Sequence, residues 1–339
     1  MRSPTRLGIG TLVALVISGC ASVRDVDHAA SARRGPLPAR SNGPVSQTFL
    51  VLRPRSAATA APGALELRVN SAYSSIFEVG NGPTGSVDFD GEIWRTGVAL
   101  RTGIDARTDL EIEVPIVYAN SGFLDVFIEA WHAALGLPDS GRETRPKFDY
   151  DMRLVVDGLD VYSLTGDRVG LGDVPIVLTR RIVEARGAKP AMFVQAAVEI
   201  PVGSEGNGFG NGALDWGLGA GLESDVGDWT FGGGLGWTDR AQPSSFDSSS
   251  LEIDDGFTAR ADAEWRWLQT SSLLFGLRFE NAVSQSFGIE ELDGHVLELD
   301  LGVAIDGGGE SRWLFGFTED LISESGPDFT AMLGLQVDF

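Results

Sequence analysis

The sequence has no long apolar run beyond its first twenty residues, and this excludes a helical membrane protein. A spanning helix needs about 20 consecutive apolar residues, whereas the mean hydropathy is +0.03 and only 4 residues are Met. Cysteine is nearly missing too, because Cys20 is the only one, and no internal disulfide can form. Basic residues are few, with 26 Lys+Arg against 48 Asp+Glu and a formal net charge of −22. Such a charge repels polyanions, and we expect no nucleic-acid partner.

The apolar residues that are present alternate with polar ones. From Phe257 to Trp267 the odd positions are apolar and the even positions are polar or charged. Side chains of a strand point alternately to two faces, so this segment has one lipid-compatible face and one polar face. A transmembrane strand needs only about ten such residues. The pattern therefore favours one closed all-β unit in a membrane.

The last segment, from Phe329 to the terminal Phe339, alternates in the same way. A terminal aromatic residue on such a strand resembles the assembly signal of bacterial outer-membrane barrels. We therefore expect the barrel assembly machinery to bind this strand, and outer-membrane lipid to surround the barrel. The C-terminus is then periplasmic.

Counting back from Phe339 predicts a single antiparallel transmembrane β-barrel of about 12 strands over residues 65–339. Ten and fourteen strands are the alternatives. The connections at 102–107, 184–190, 223–228, 268–270 and 305–311 are short and fall at the periplasmic end, as in known barrels. The predicted strands are 65–73, 92–101, 108–118, 172–183, 191–201, 213–222, 229–238, 257–267, 271–282, 295–304, 312–320 and 328–339.

Residues 119–171 form one long external excursion in this scheme. It includes an extra hairpin near 149–157 and 161–164, and the one good helix of the mature chain, 122–137. The apolar face of this amphipathic helix recurs at helical spacing and can pack in the barrel mouth or lie at the lipid interface. Its acidic residues favour packing in the mouth. The face consists of Phe123, Leu124, Phe127, Ile128, Trp131, His132 and Leu135.

The N-terminus reads as an export signal. Arg2 and Arg6 precede an apolar stretch that is too short to span a membrane, which predicts a signal peptide over residues 1–19. Ile17-Ser18-Gly19-Cys20 resembles a lipobox, which would make Cys20 the lipidation site; an ordinary signal peptide is the alternative. Residues 20–64, rich in Ala, Arg, Pro and Ser, are predicted to be a lipidated N-terminus and flexible tether.

Charged residues on the polar strand faces are the main functional lead. They can coat a narrow aqueous pore, or pair across the interior and seal it, and a barrel of this size permits both. These lumen-lining candidates are Glu66, Arg68, Arg95, Glu199, Arg260, Asp262, Glu264, Arg266, Arg278, Glu280, Glu298 and Asp300.

Motifs for chemistry are scarce. There is no Gly-x-Ser-x-Gly elbow and no His-Glu-x-x-His pattern, and the acidic run 247–255 lacks the Gly and terminal Glu of an EF-hand. We therefore expect no catalytic residues, no metal and no cofactor, with a lipid hydrolase that uses His132 or His295 as a weaker alternative. The acidic external loops predict a solvated rim, or bridging to lipopolysaccharide through divalent ions.

Several short motifs, taken in order, resemble an uncharacterised bacterial outer-membrane family, domain of unknown function 3187. The similarity covers roughly residues 44–339 and implies the barrel but no activity. The motifs are Tyr73-Ser74-Ser75-Ile76-Phe77-Glu78, Phe89-Asp90-Gly91-Glu92, the helix from Gly122 with His132 and Gly136-Leu137-Pro138, Gly170-Leu171-Gly172-Asp173, Ile200-Pro201-Val202-Gly203, Thr318-Glu319-Asp320 and Pro327-Asp328-Phe329.

The sequence thus predicts a lipid-anchored outer-membrane barrel that passes small solutes. The alternative is a closed structural or interaction barrel that binds a protein partner or envelope glycan through residues 119–171.

Overall fold

The computed structural model describes residues 33–136, 141–164, 166–185, 189–284, 288–322 and 326–339, and these are nearly all β-strand and loop. Two helices occur in this part of the chain, α1 (Asp125–Leu135) and the single turn α2 (Glu290–Asp293). The strands are β1 Leu65–Asn81, β2 Gly85–Asp105, β3 Thr108–Asn120, β4 Asp151–Val156, β5 Leu159–Leu164, β6 Arg168–Leu171, β7 Val174–Val183, β8 Ala191–Ile200, β9 Asp215–Val226, β10 Trp229–Asp239, β11 Gly256–Leu268, β12 Ser271–Glu280, β13 Val296–Asp306, β14 Ser311–Asp320 and β15 Phe329–Asp338.

Twelve of these strands close into an antiparallel barrel, as the sequence predicts. Neighbours in the chain pair in order from β7 to β15; β15 then pairs with β1, β1 with β2, β2 with β3, and β3 with β7. Each barrel strand therefore has two partners, and no backbone edge faces lipid. The last backbone amide, that of Phe339, donates to the carbonyl of Leu65 at 2.8 Å.

The two ends of the barrel differ in their connections. Turns of two to seven residues lie at one end, the short-turn end, at 106–107, 184–190, 227–228, 269–270 and 307–310. All other connections lie at the opposite long-loop end. The predicted short connections are confirmed. The predicted long connection between β1 and β2 is wrong, because both strands continue beyond the predicted bounds 65–73 and 92–101 and meet in a turn of three residues, 82–84.

The outer surface is apolar between two bands of aromatic side chains. At the short-turn end Trp229 stacks on Trp265, with ring centroids 5.6 Å apart, and at the long-loop end Trp216 meets Trp237 edge-on at 4.9 Å. Barrels in membranes carry such girdles where the hydrocarbon meets the headgroups. No helix in the described ranges is long and apolar enough to cross a membrane.

The excursion after β3 contains the three additional strands. β4 extends the sheet by pairing with the projecting first half of β2, and β5 pairs with β4, which confirms the predicted hairpin. Its turn is Asp157-Gly158, both with positive φ (53° and 77°), the conformation that favours this dipeptide in tight hairpins. β6 pairs with the end of β3.

Candidate functional site, a plugged lumen

The barrel interior is filled by the protein's own N-terminal segment, residues 33–62, which we call the N-terminal plug. The plug begins beside Asp306 at the short-turn end and reaches the long-loop end at Phe49. It then returns to a bridge between Pro62 and Gly103. Its largest side chains are buried, including Leu37, Phe49 and Leu50. This corrects the expected flexible tether for residues 33–64. The remaining part of that prediction, with the signal peptide at 1–19 and Cys20, lies outside the described residues.

Glycines on the inward face make room for the plug. Leu37 rests against β13 and β14, where a Cβ built on Gly316 would lie 3.1 Å from Leu37 Cδ1. Leu52 packs in the same way against β9 and β10, where a Cβ built on Gly219 would lie 3.1 Å from Leu52 Cδ1. Glycine within a strand often marks close approach of another backbone. The pattern of residues 33–62 does not predict a plug, whereas the inward-facing glycines of the strands are a signal for one.

One side of the plug is held by carboxylates of β3. Both terminal nitrogens of Arg53 donate to Glu113, and Arg55 pairs with Asp109 at 3.3 Å and with Glu111. Such two-nitrogen contacts fix the guanidinium plane and direction.

The same β3 carboxylates also contact arginines of the wall. Arg95 reaches Glu113 at 2.9 Å, Arg68 reaches Glu111 at 3.2 Å, and Arg101 reaches Asp109 at 2.5 Å. Each β3 carboxylate is therefore shared between a plug arginine and a wall arginine.

The other side of the plug is held near the short-turn end. Arg33 pairs with Glu223 and Asp225 of β9, and Arg34 pairs with Asp306 at 2.5 Å. The carboxylate of Glu264 accepts the backbone N–H groups of Arg34 and Gly35 at 3.0 and 3.1 Å. The plug thus contacts acidic residues of β3, β9, β11 and β13.

The plug reverses direction in a turn that arginine closes. Arg40 donates to the carbonyls of Ser41, Gln47 and Phe49, each at 3.2 Å. Beyond the turn the N–H of Leu50 donates to Asp215 at 3.0 Å. Side chains therefore satisfy these backbone groups of the turn, as a buried segment without sheet pairing requires.

An apolar cluster seals the long-loop end above this turn. Its plug members are Val45 and Phe49, and both are buried. The barrel and the excursion supply the rest, which are Ile76, Val87, Phe89, Ile93, Val117, Ala119, Met152, Leu154, Val156, Val161, Tyr162, Leu164, Phe209, Phe246, Leu251 and Ile289. A cleft lined by Tyr162 and Ser244 leads from the outside down to Val45 and Thr48.

The twelve charged residues proposed from sequence to line the lumen all lie on the inward face, half-buried or buried. Several pair within the wall: Arg278 with Glu298 and, at 3.6 Å, with Asp300, and Arg260 with Asp262. Glu280 pairs with Arg240 of the loop after β10 at 3.1 Å. The sequence left open whether these charges coat an aqueous pore or pair across the interior. In the structure they pair along the wall and with the plug, which occupies the space between the walls.

Helix α1 packs on the outer wall, which corrects the expectation that it packs in the barrel mouth. Phe127 contacts Phe329 at 5.4 Å between ring centroids, and Trp131 contacts Phe317 at 5.9 Å. Both partners alternate with inward-facing threonines and so point outward. The predicted helix is confirmed but shorter, because residues 122–124 precede its first turn.

The helix covers one row of outward-facing residues that are polar except for Phe329. Glu92, Ser75, Phe329 and Glu319 stand opposite one another across β2, β1, β15 and β14, and all four are buried. Glu92 accepts the N–H groups of Phe123 and Leu124 at 2.9 and 2.5 Å. Trp131 Nε1 and His132 Nε2 face Glu319 at 3.2 and 3.7 Å.

The predicted apolar face of α1 divides between wall and exterior. Ile128 and His132 are buried and Leu124 and Trp131 are half-buried, whereas Phe123 and Phe127 are 67% and 46% exposed. Phe123 still stacks on Tyr73 at 5.2 Å. The side chain of Leu135 lies outside the described part of the structure.

The two histidines considered for catalysis have the following described contacts. His132 faces Glu319 under the helix, and Nδ1 of His295 accepts the N–H of Ala282 while its ring packs on Phe279. Within the described residues, no group of three or more His, Cys, Asp or Glu side chains could hold a metal ion.

These features define the protein as a β-barrel of the outer-membrane type with a lumen filled by its own N-terminal segment. The chain belongs to a family described as protein of unknown function, DUF3187, whose model matches residues 12–339. The resemblance drawn from the sequence motifs is confirmed. No curated protein matches the sequence significantly.

The solved structures that match this chain include a channel, a porin and a transporter. The COG4313 outer membrane channel from Pseudomonas putida F1 is 17% identical, with a TM-score of 0.56 over 85% of this chain and 100% of that chain. The NanC porin is 8% identical with a TM-score of 0.47 over 81% and 100%. The toluene transporter TbuX of Ralstonia pickettii is 10% identical with a TM-score of 0.41 over 88% and 98%. The first of these likenesses shows a shared barrel fold.

Proposed function

We propose that the protein is an outer-membrane channel for small solutes, closed by its N-terminal plug and opened when the plug moves. The observation that carries this proposal is the content of the lumen. Opposite walls of the barrel do not meet; two passes of polypeptide separate them, from Arg34 beside Asp306 to Phe49 and back to Pro62. Strand side chains can fill the interior of a barrel of about eight strands, whereas a wider barrel leaves space for a channel or a plug.

The way in which the plug is attached supports its movement. Within residues 33–62 the structure has no strand, and the pairing of this segment's backbone with barrel backbone is limited to the bridge between Pro62 and Gly103. Ion pairs, hydrogen bonds and buried apolar side chains such as Leu37 and Phe49 hold the rest. The net stabilisation by buried ion pairs is small, because desolvation offsets much of their attraction. Leaving the lumen therefore breaks side-chain contacts and leaves every barrel strand paired.

The lipid anchor and the membrane orientation belong to the same proposal. Cys20 precedes Arg33 by thirteen positions, and Arg33 contacts Glu223 near the short-turn end. With the C-terminus periplasmic, a lipid on Cys20 would tether the free end of the plug to the leaflet at that end. The plug could then leave the lumen and remain close to its entrance. Mass spectrometry of the purified protein would detect the diacylglyceryl group on Cys20.

Planar-bilayer conductance tests the channel. A variant without residues 33–60 should conduct steadily, because every barrel strand keeps both of its partners, whereas the full chain should be mostly closed. The folded state of both is checked by their heat-dependent migration on gels. A deletion variant that folds but passes no current contradicts the proposal.

A disulfide lock provides the matched control. A Cβ built on Gly236 lies 3.3 Å from Leu52 Cβ, close to the separation of about 3.5–4.5 Å in disulfides. Leu52→Cys with Gly236→Cys, in a Cys20→Ser background, should remain closed when oxidised and regain opening events when reduced. Equal current in both states would show that the plug does not gate the barrel.

The closed interaction barrel is the second candidate, and the sealed long-loop end favours it. Among the described residues, the apolar cluster that includes Phe49 and Phe89 packs across the long-loop end. This alternative expects no conductance even without the plug. It also expects crosslinkers placed in residues 141–164 to capture one reproducible protein or glycan.

A further inference from the structure

The plug is positively charged. Residues 33–62 contain Arg33, Arg34, Arg40, Arg53 and Arg55, with no lysine and no acidic residue. Four of the five arginines pair with carboxylates of the barrel wall. The plug is thus a cationic peptide inside a barrel whose own side chains must balance it.

Without the plug, the inward face of the barrel wall is acidic. Its inward acidic residues outnumber its inward arginines. The acidic set is Glu66, Asp109, Glu111, Glu113, Glu199, Asp215, Glu223, Asp225, Asp262, Glu264, Glu280, Glu298, Asp300, Asp306 and Asp320, and the basic set is Arg68, Arg95, Arg101, Arg181, Arg240, Arg260, Arg266, Arg278 and Arg312. An acidic passage with low-dielectric walls concentrates cations and excludes anions.

The carboxylates that face the plug already hold guanidinium groups. Glu113 is 3% exposed and receives both terminal nitrogens of Arg53. At the short-turn end Arg34 donates to Asp306 through Nε and one terminal nitrogen, at 2.9 and 2.5 Å. A planar group with several N–H donors fits the geometry of these carboxylates better than a spherical cation does.

We propose that these carboxylates are the solute-binding sites of the open barrel, and that the solute is a small organic cation with a guanidinium or amine group. In the closed barrel the arginines of the plug, which belong to the same chain, occupy these sites. Plug and solute then compete, and a cation that binds only the open state shifts the equilibrium towards it. This inference rests on the proposed channel function and adds its substrate class.

The test uses the variant without residues 33–60 in planar bilayers under a KCl gradient. The reversal potential should correspond to a K⁺/Cl⁻ permeability ratio above one. Guanidinium chloride at millimolar concentration should block the K⁺ current more strongly than tetramethylammonium chloride, which has the same charge but no N–H donor. Adding Glu113→Gln should weaken the guanidinium block severalfold, whereas Glu252→Gln, an exposed loop substitution, should leave it unchanged.

A second measurement uses the full chain and needs no conductance. Arg53→Ala removes the plug guanidinium from Glu113, which keeps its contact with Arg95, and leaves the position of the Arg53 side chain vacant inside a folded barrel. Millimolar guanidinium should raise the Tm of this variant, tetramethylammonium should not, and neither should change the Tm of the unsubstituted protein.

The outcomes separate the two proposals. A conducting deletion variant that prefers Cl⁻, or that responds equally to both organic cations, overturns the cation inference and leaves the channel intact. A folded deletion variant without current overturns the channel. If the deletion variant does not fold, the absence of guanidinium stabilisation in Arg53→Ala overturns the inference by itself.

Discussion

At the scale of single residues, most of the charged side chains inside this barrel contact a side chain of opposite charge. An unpaired ion in a low-dielectric interior is costly. Removing one member of a buried ion pair destabilises a protein more than replacing both members by apolar residues, because the remaining charge has no partner. The three β3 carboxylates illustrate the result, because each contacts one plug arginine and one wall arginine. Inward charge alone therefore did not indicate an open pore.

Apolar contacts at single residues help to hold the plug. Leu37 is 4% exposed and packs between Gly302 and Gly316. Leu37→Ala should cost the plug about 2–5 kcal/mol, the range for a buried leucine that leaves a cavity, while the barrel strands remain paired. Hydrogen exchange of amides in residues 33–62 should accelerate.

Leu333→Ala is the matched control for Leu37→Ala. Leu333 lies on the outer face and is 44% exposed, so its loss should not change exchange in the plug. Exchange that rises equally in both variants would mean that Leu37 does not fix the plug to the wall.

At the scale of elements, α1 is a cover for polar residues that the strand pattern leaves on the wrong face. Outward positions of a membrane barrel are apolar because a charge there would face lipid. Glu92 and Glu319 break this rule near the long-loop end, and α1 lies over both. The helix was predictable from its period, but its location depended on which strand positions needed covering.

Glu92 fixes the start of this helix in place of a local N-cap. Leu124 has no side-chain cap, and the carboxylate of Glu92 accepts its N–H instead. Glu92→Ala should destabilise the attachment of α1 by about 0.5–2 kcal/mol, the usual effect of losing a cap. Limited proteolysis within residues 123–136 should become faster.

Val126→Ala serves as the control for Glu92→Ala. Val126 is on the same helix, 53% exposed, with its side chain away from the wall. Cleavage rates that change as much in this variant would indicate general weakening of the helix and no specific role for Glu92.

At the scale of the whole molecule, the barrel and the plug depend on different interactions. The barrel is held by backbone hydrogen bonds between paired strands, which have no competing partner in lipid. The plug is held by side chains, in a space that the wall glycines leave free. This difference is the reason that a variant without residues 33–60 is expected to keep its fold.

The sequence by itself determined the barrel. Alternation along a strand has a period of two and depends only on local geometry, so the strands, the short turns, the extra hairpin and the end at Phe339 could be read in order. The charged residues of the inward face followed from the same period.

Only the tertiary structure decided what fills the barrel. Residues 33–62 have no periodic pattern, and their Pro, Ala and Arg content is typical of a linker. They are ordered because residues far along the chain provide what their side chains need. Glu113 provides a charged partner for Arg53, and Gly316 provides space for Leu37. Contacts between such distant positions leave no periodic signal in either segment, and they arise only when the barrel closes around the plug.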